Sequence, residues 1–228
     1  MHELEAQLEQ LSAQEGLALI ADLFPGKVTF STSLGQEDQV ITQLIASGNI
    51  PVKIFSLDTG RLFPETLDLL SRTEAKYKQN IKVYYPTTDS VEKLVSDIGI
   101  NGFYDSVDNR KSCCFVRKVE PLRRALAGND IWITGLRAEQ SANRSDMKRI
   151  EWDEANQIIK YNPLLDWTFD RMIAYIAEKN IPYNPLHDQG FISIGCAPCT
   201  RAIMEGEDAR AGRWWWEDSK KECGLHAK

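Results

Sequence analysis

The sequence predicts an α/β fold, a mostly parallel sheet flanked by helices, on three observations. Five short runs rich in β-branched or aromatic residues have strand character: Lys27–Thr32, Val52–Leu57, Ile81–Tyr85, Ile131–Thr134 and Gln157–Tyr161. Between them stand stretches with apolar residues at helical spacing, and strands alternating with helices imply right-handed crossovers and parallel pairing. The 228 residues, 43% of them hydrophobic, suffice to bury one sizeable core.

In chain order, Met1 to Gln14 sets Glu3, Glu5 and Glu9 among Leu4, Leu8 and Leu11, the pattern of an amphipathic helix and not of a signal peptide. The first strand follows Pro25-Gly26 and runs into Ser31-Thr32-Ser33-Leu34-Gly35-Gln36-Glu37-Asp38, after which Val40, Ile41, Leu44 and Ile45 form a helical stripe closed by Gly48. A strand, a Ser/Gly turn and a helix start make an anion site, because hydroxyls and unpaired backbone N–H groups face one point. An ordinary capped loop is the equal alternative, and neither Gly-x-Gly-x-x-Gly nor the Walker pattern is present. The second strand reads as buried on both faces and ends in Asp58-Thr59-Gly60; Pro64 then opens a helix through Leu67, Leu70 and Ala75. The fourth strand ends at Gly135-Leu136-Arg137. Ligands of parallel sheets sit beyond the carboxyl ends of the strands, so Ser31, Ser33, Leu57, Gly60, Gly135 and Arg137 are candidate binding positions. Ala138 to Glu154, rich in Ser, Asn and charge, is expected to be a mobile loop carrying Arg144. Phe169, Met172, Ile173 and Ile176 make a further amphipathic helix, and Trp214 to Trp216 are expected to close the domain by packing, with a stacking platform as the alternative.

The chemistry concentrates in cysteine. Cys196-Ala197-Pro198-Cys199 has the spacing that returns two sulfurs to one side, and Cys113-Cys114 supplies a second pair. Adjacent side chains on a helix diverge by roughly 100 degrees, so holding both on one centre needs local distortion. Four thiolates in two pairs suggest an iron–sulfur cluster, with a tetrahedral zinc site and a vicinal disulfide at Cys113-Cys114 as the alternatives. Pro121 should end one helix or start the next within the stripe Val116, Val119, Leu122 and Leu126. Four of five cysteines fill one centre and leave Cys223 over, flanked by Lys220, Lys221 and His226, cations that favour thiolate. A stray surface cysteine is the plain alternative for that segment.

A net charge of −6 argues against general nucleic-acid binding. Basic residues nonetheless gather near the cysteines: Arg110, Lys111, Arg117 and Lys118, then Arg201, Arg210 and Arg213, a convergence that suggests a small anionic ligand. No apolar run approaches membrane-spanning length, and a cytoplasmic protein with reduced thiols is expected.

Taken together, Ser31-x-Ser33 with Gly35 and Asp38, Leu57-Asp58-Thr59-Gly60, Cys113-Cys114-x-x-Arg117-Lys118, Gly135-Leu136-Arg137 with Gln140-Ser141 and Arg144, Cys196-x-x-Cys199, Arg210-x-x-Arg213-Trp214-Trp215-Trp216 and Glu222-Cys223-Gly224-Leu225-His226 resemble the assimilatory adenylyl-sulfate reductases of bacteria. The resemblance implies an adenine-nucleotide α-hydrolase-like fold, with residues 1–212 as one nucleotide- and cluster-binding domain and 213–228 as a mobile tail. It implies a 4Fe-4S cluster on Cys113, Cys114, Cys196 and Cys199, tuning the site electrostatically. It further implies reduction of adenylyl sulfate to sulfite and AMP for cysteine biosynthesis, with Cys223 as nucleophile and thioredoxin or a similar dithiol protein as reductant. Lys118, Arg144, Arg210 and Arg213 would neutralise the sulfate, and His226 would position tail or substrate. Phosphoadenylyl-sulfate reduction is the nearest alternative, against which the two cysteine pairs count. A tRNA-thiolating enzyme would need a Ser-Gly-Gly-x-Asp turn, and a non-catalytic iron–sulfur sensor would need no Cys223. A homo-oligomer is left open.

Overall fold

The computed structural model describes residues 2–140 and 147–217. In chain order the elements are α1 (His2–Glu9), α2 (Ala13–Leu23), β1 (Val28–Thr32), α3 (Gln36–Ser47), β2 (Lys53–Leu57), α4 (Pro64–Tyr77), β3 (Ile81–Tyr84), α5 (Thr88–Ile98), α6 (Val107–Cys114), α7 (Glu120–Leu126), β4 (Ile131–Ile133), β5 (Ile150–Asp153), β6 (Ile158–Tyr161) and α8 (Phe169–Glu178). They fall into two compact units, each assembled from three separated segments: 1–56, 68–82 and 128–184 in the first, 57–67, 83–127 and 185 onward in the second.

The first unit carries the sheet, in the order β3-β2-β1-β4-β6-β5. β1 pairs in parallel with β2 and β4, so that Phe30 stands opposite both Ile54 and Ile133. β4 pairs in parallel with β6, and β5 runs antiparallel on the edge. The strand order reverses at β1: the chain adds β2 and β3 outward on one side, then returns to add β4 on the other. Leu17 and Ile20 of α2, Val40, Ile41 and Ile45 of α3 and Met172 of α8 bury their side chains in one core with Phe30, Ile131 and Ile133. Each such burial stabilises by roughly 1.5 to 3 kcal/mol.

Two details differ from the sequence expectation. The N-terminal stripe is not one helix: α1 ends at Glu9, and Ser12 starts α2 with a capping box in which its side chain accepts from Glu15 N while Glu15 Oε2 accepts from Ser12 N at 2.9 Å. The stretch expected to be a loop from Ala138 to Glu154 instead contains β5. Ile150 is buried in the core, whereas Trp152, two residues on along this edge strand, stands exposed. Arg144 lies outside the described residues.

The second unit holds α5, α6 and α7, with Phe103, Cys196, Cys199 and Trp214 in a small core of their own. Among the described residues no helix is long and apolar enough to cross a membrane.

Candidate functional site

Within the second unit, Ser106 caps α6, accepting from Asn109 N at 3.1 Å, and the helix ends on Cys113 and Cys114. It passes at once into a π turn, Phe115–Val119, and α7 restarts with Pro121 in its first turn. That widened turn is the local distortion that neighbouring cysteines require. Cys196 and Cys199 bracket a single tight turn in which Cys199 N donates to Cys196 O at 2.9 Å. All four side chains line one small cavity together with Arg61, Phe103, Arg110, Arg117, Lys118 and Pro198. They are free thiols, so the vicinal disulfide is not formed.

Burial pushes the Cys199 thiol up to about 12, reinforced by repulsion from Cys196 and Cys114 and opposed by Lys118 and Arg213. Burial likewise raises Cys113, opposed chiefly by Arg117. Thiols in this state keep their protons near neutrality, and a thiolate-binding metal centre has to displace them. Among the described residues no group of three or more His, Cys, Asp or Glu side chains is set to hold a metal ion. An all-sulfur donor set, largely dry and ringed by cations, fits a polynuclear iron–sulfur centre that takes one thiolate per iron.

The surroundings bind the cysteine segments together. Thr59 Oγ1 lies 3.2 Å from Cys196 Sγ, while Thr59 O accepts from Arg117 Nη1 at 2.7 Å and Arg61 O accepts from Ala197 N at 2.8 Å. Tyr104 donates its hydroxyl to Pro198 O at 2.6 Å and packs edge-on against Trp216. Arg213 covers Gly195 so closely that a Cβ there would lie 2.3 Å from Nη2, which only glycine avoids.

In the first unit the site is a different one, the crevice where the strand order reverses. There the turn after β1 meets the turn after β4. Ser33 donates both its backbone N–H and its hydroxyl to Asp38 Oδ2, at 2.6 and 2.7 Å, and Leu34, held at φ 63, donates its N–H to Thr32 Oγ1 at 3.0 Å. Ser31 Oγ accepts from Trp132 Nε1 at 2.8 Å. Asp38 is buried, and desolvation raises its carboxyl to about 7 in spite of the two Ser33 bonds. Gly135 is the contact point: a Cβ there would lie 2.1 Å from Asp38 Oδ1. Parallel sheets bind ligands in such a crevice, beyond the carboxyl ends of strands at the point of reversal.

A phosphoadenosine phosphosulfate reductase domain is matched over residues 27–202. The chain belongs to that reductase family. An adenosine 5'-phosphosulfate reductase of Allochromatium vinosum is 55% identical over 202 residues, 88% of this chain and 79% of the relative. One of Burkholderia cepacia is 51% identical over 225 residues, covering 98% and 89% respectively. Among solved structures, the phosphoadenylyl-sulfate (PAPS) reductase from Candida auris, a phosphate complex, superposes with a TM-score of 0.74 at 32% identity over 89% of this chain and 95% of that one. Candida glabrata FMN adenylyltransferase, with FAD and inorganic pyrophosphate, aligns with a TM-score of 0.58 at 16% identity over 92% and 73%, a likeness of fold alone. The fold is adenine-nucleotide α-hydrolase-like, as expected from the sequence.

Against this reductase family the sequence-derived positions sort by unit. Ser31, Ser33, Gly135 and Arg137 belong to the first unit; the four paired cysteines, Leu57, Gly60, Lys118, Arg210 and Arg213 belong to the second. Cys223, His226 and Arg144 lie outside the described residues. Arg137 is buried and engaged, donating to Glu37 Oε1 at 3.0 Å, Glu139 Oε2 at 2.9 Å and Trp167 O at 3.1 Å. Arg201, expected among the cations beside the cysteines, forms a bidentate pair with Glu207 at 2.9 Å for each bond. Asp38, Thr59 and Tyr104 had no assigned role on sequence. Asp38 carried a signal, as an acid in the first turn of a helix that follows a Ser/Gly turn, and Thr59 lay within the Leu57-Asp58-Thr59-Gly60 turn.

Proposed function

We propose that the chain reduces adenylyl sulfate to sulfite and AMP in sulfate assimilation, in the cytoplasm, with electrons from thioredoxin or a similar dithiol protein. The observation that carries this reading is that both cysteine pairs line one cation-ringed cavity in a chain about half identical to reductases named for that substrate. Cys113, Cys114, Cys196 and Cys199 would hold a 4Fe-4S cluster. When bound, such a cluster would supply a charged centre that tunes the site electrostatically, and the family resemblance gives it no role as an electron carrier.

The chain's own residues do the rest. The crevice at the ends of β1 and β4 would bind the nucleotide, with Ser31, Ser33, Gly135 and Arg137 forming its wall; the family resemblance adds Leu57, Gly60, Arg144 and His226. The Cys223 thiolate attacks the sulfur of adenylyl sulfate, the S–O bond to the phosphate breaks, and AMP leaves with the electron pair. Lys118, Arg144, Arg210 and Arg213 offset the repulsion between thiolate and sulfate. The product is an S-sulfo group on Cys223. A reductant thiolate then attacks the Cys223 sulfur, the S–S bond to the sulfonate breaks, and sulfite departs with its electrons. A second thiol of the reductant resolves the mixed disulfide and restores the Cys223 thiol.

The test is incubation with adenylyl sulfate and no reductant, followed by peptide mass spectrometry. One SO3 should appear on the Cys223 peptide and vanish when thioredoxin is added, and Cys223→Ser should keep nucleotide binding while losing nearly all sulfite release. The adduct on any of the other four cysteines would defeat the mechanism. Parallel assays with the 3'-phosphorylated substrate decide between the two nucleotides.

A further inference from the structure

Phe30, Ile131 and Ile133 turn into the core of the first unit, so the residues that alternate with them, Thr29, Ser31 and Trp132, point to the opposite face of the sheet. Register sets Trp132 beside Thr29 of β1 and beside Lys160 of β6, and Ser31 stands two residues beyond Thr29 on the same face. The indole reaches that serine: Trp132, only 1% exposed, donates from Nε1 to Ser31 Oγ at 2.8 Å. Behind it, Lys160 Nζ lies 5.9 Å from the centre of the Trp132 ring and is itself held by Glu151 Oε1 at 3.3 Å and Asp153 Oδ2 at 3.2 Å. The acids of β5 thus seat the lysine, the lysine backs the indole, and the indole meets the serine.

Donor and acceptor chemistry makes this contact directional. An indole N–H can only donate, whereas a serine hydroxyl has one proton and two lone pairs. Trp132 therefore occupies a lone pair of Ser31 Oγ, and the serine's own proton has to point elsewhere. Among the described residues the Ser31 hydroxyl donates to none, and Ser31 is partly exposed at the carboxyl end of β1. The buried cations of this unit among the described residues, Arg137 and Lys160, already face carboxylates, so this wall offers neutral donors and not free charge. We propose that Trp132 is a positioning residue that commits the Ser31 hydroxyl as a donor to an uncharged acceptor on the adenosine part of the nucleotide, a purine ring nitrogen or a ribose hydroxyl oxygen. The proposal rests on the reading of this crevice as the nucleotide site. A hydroxyl free to rotate would serve donors and acceptors alike; one pinned by an indole rejects a ligand that presents a donor at that point.

The experiment measures dissociation constants by titration calorimetry for the cluster-loaded wild-type chain, Trp132→Phe and Ser31→Ala. The ligands are AMP and analogues in which one acceptor is removed: N1, N3 or N7 of the ring replaced by C–H, or the 2'- or 3'-hydroxyl absent. Trp132→Phe keeps an aromatic ring and removes only the N–H-bearing part. In the wild type one of these analogues should bind about fivefold more weakly than AMP through the loss of one neutral hydrogen bond. That gap should close in Ser31→Ala and narrow to about twofold in Trp132→Phe, while the ratios for the other analogues stay as in the wild type. A merely structural role, or a contact to the phosphate, would weaken all ligands in proportion, so unchanged ratios in both variants overturn the proposal. A gap that closes in Ser31→Ala but stays full in Trp132→Phe overturns it too, because the indole would then position nothing. If Ser31→Ala, which deprives the buried indole N–H of its acceptor, fails to fold, the Trp132→Phe ratios decide alone. A wild-type chain that binds neither AMP nor adenylyl sulfate would instead count against the crevice reading on which the proposal stands.

Discussion

Gly135→Ala is the sharpest perturbation the crevice offers. Only a methyl group is added, yet the new Cβ would lie 2.1 Å from Asp38 Oδ1 and 3.2 Å from Asp38 Cγ and Glu37 Cβ. Carbon atoms essentially never approach closer than 3.0 Å, so the carboxylate must retreat by about 0.9 Å. It cannot do so without moving Oδ2, which holds the Ser33 N–H and hydroxyl at 2.6 and 2.7 Å. Hydrogen bonds to a charged group contribute about 1.5 to 3 kcal/mol each, so losing one or both costs roughly 1.5 to 6 kcal/mol, a large share of a typical 5 to 15. The turn that Asp38 shapes should loosen with it, and AMP affinity should fall by about ten- to a hundredfold, at 1.4 kcal/mol per decade. Urea denaturation and AMP titration at pH 8 measure both effects. Gly35→Ala is the control, since Gly35 already sits at φ −68 and its Cβ would meet Ser33 Oγ at an ordinary 3.4 Å. A Gly135→Ala chain as stable as the control, with unchanged AMP affinity, would refute the view that the Asp38–Ser33 latch shapes the crevice.

Two further outcomes follow from the same groups. Burial raises Asp38 to about 7, so the folded chain holds that proton more tightly than the unfolded one. Its contribution to stability is full below about pH 4 and is lost as pH rises towards 7, by an amount on the order of 4 kcal/mol. Asp38→Asn should flatten that part of the stability profile in urea titrations at pH 5 and pH 7.5, and an unchanged slope would show that another group sets it. Cys199→Ser removes one of four sulfurs from the cavity and should abolish iron and sulfide binding on anaerobic reconstitution; a full complement of four irons in that variant would mean the sulfur is not a ligand.

The strands were legible because each is a dense apolar run whose neighbours are helices, and their bounds hold to within a residue or so. β5 was not, since Ile150 is its one anchoring side chain and Glu151 and Asp153 flank it with charge; those acids read as loop but stand beside Lys160, at 3.3 and 3.2 Å, across the antiparallel pair. The break between α1 and α2 was written in Ser12-x-x-Glu15, and the continuous leucine stripe masked it. The cysteine pairs were legible for the opposite reason: their chemistry is carried by spacings of one and three residues, which need no knowledge of the fold. The Asp38–Gly135 contact and the Arg110–Glu217 pair join residues about a hundred positions apart, and no local pattern announces them.

Cations were the hardest to read, because an arginine's role depends on the anion that faces it. Arg110, Arg117, Arg137 and Arg213 are all buried, where a sequence count would place them on the surface. Arg110 and Arg137 face carboxylates, Glu217 in one case and Glu37 with Glu139 in the other, so their charge is already answered within the protein. Arg117, which donates to Thr59 O at 2.7 Å, opposes the rise at Cys113, and Lys118 and Arg213 oppose the rise at Cys199. In a dry cavity a cation turned towards thiolate strengthens the case for holding negative charge there, since the interaction is screened far less than in water. On the proposed mechanism, Lys118 and Arg213 would then be the cations that meet a sulfate beside the cysteines. On the same reading, a carboxylate-bound arginine such as Arg137 would act through the shape of the turns it holds, since its donors are already spent on Glu37, Glu139 and Trp167.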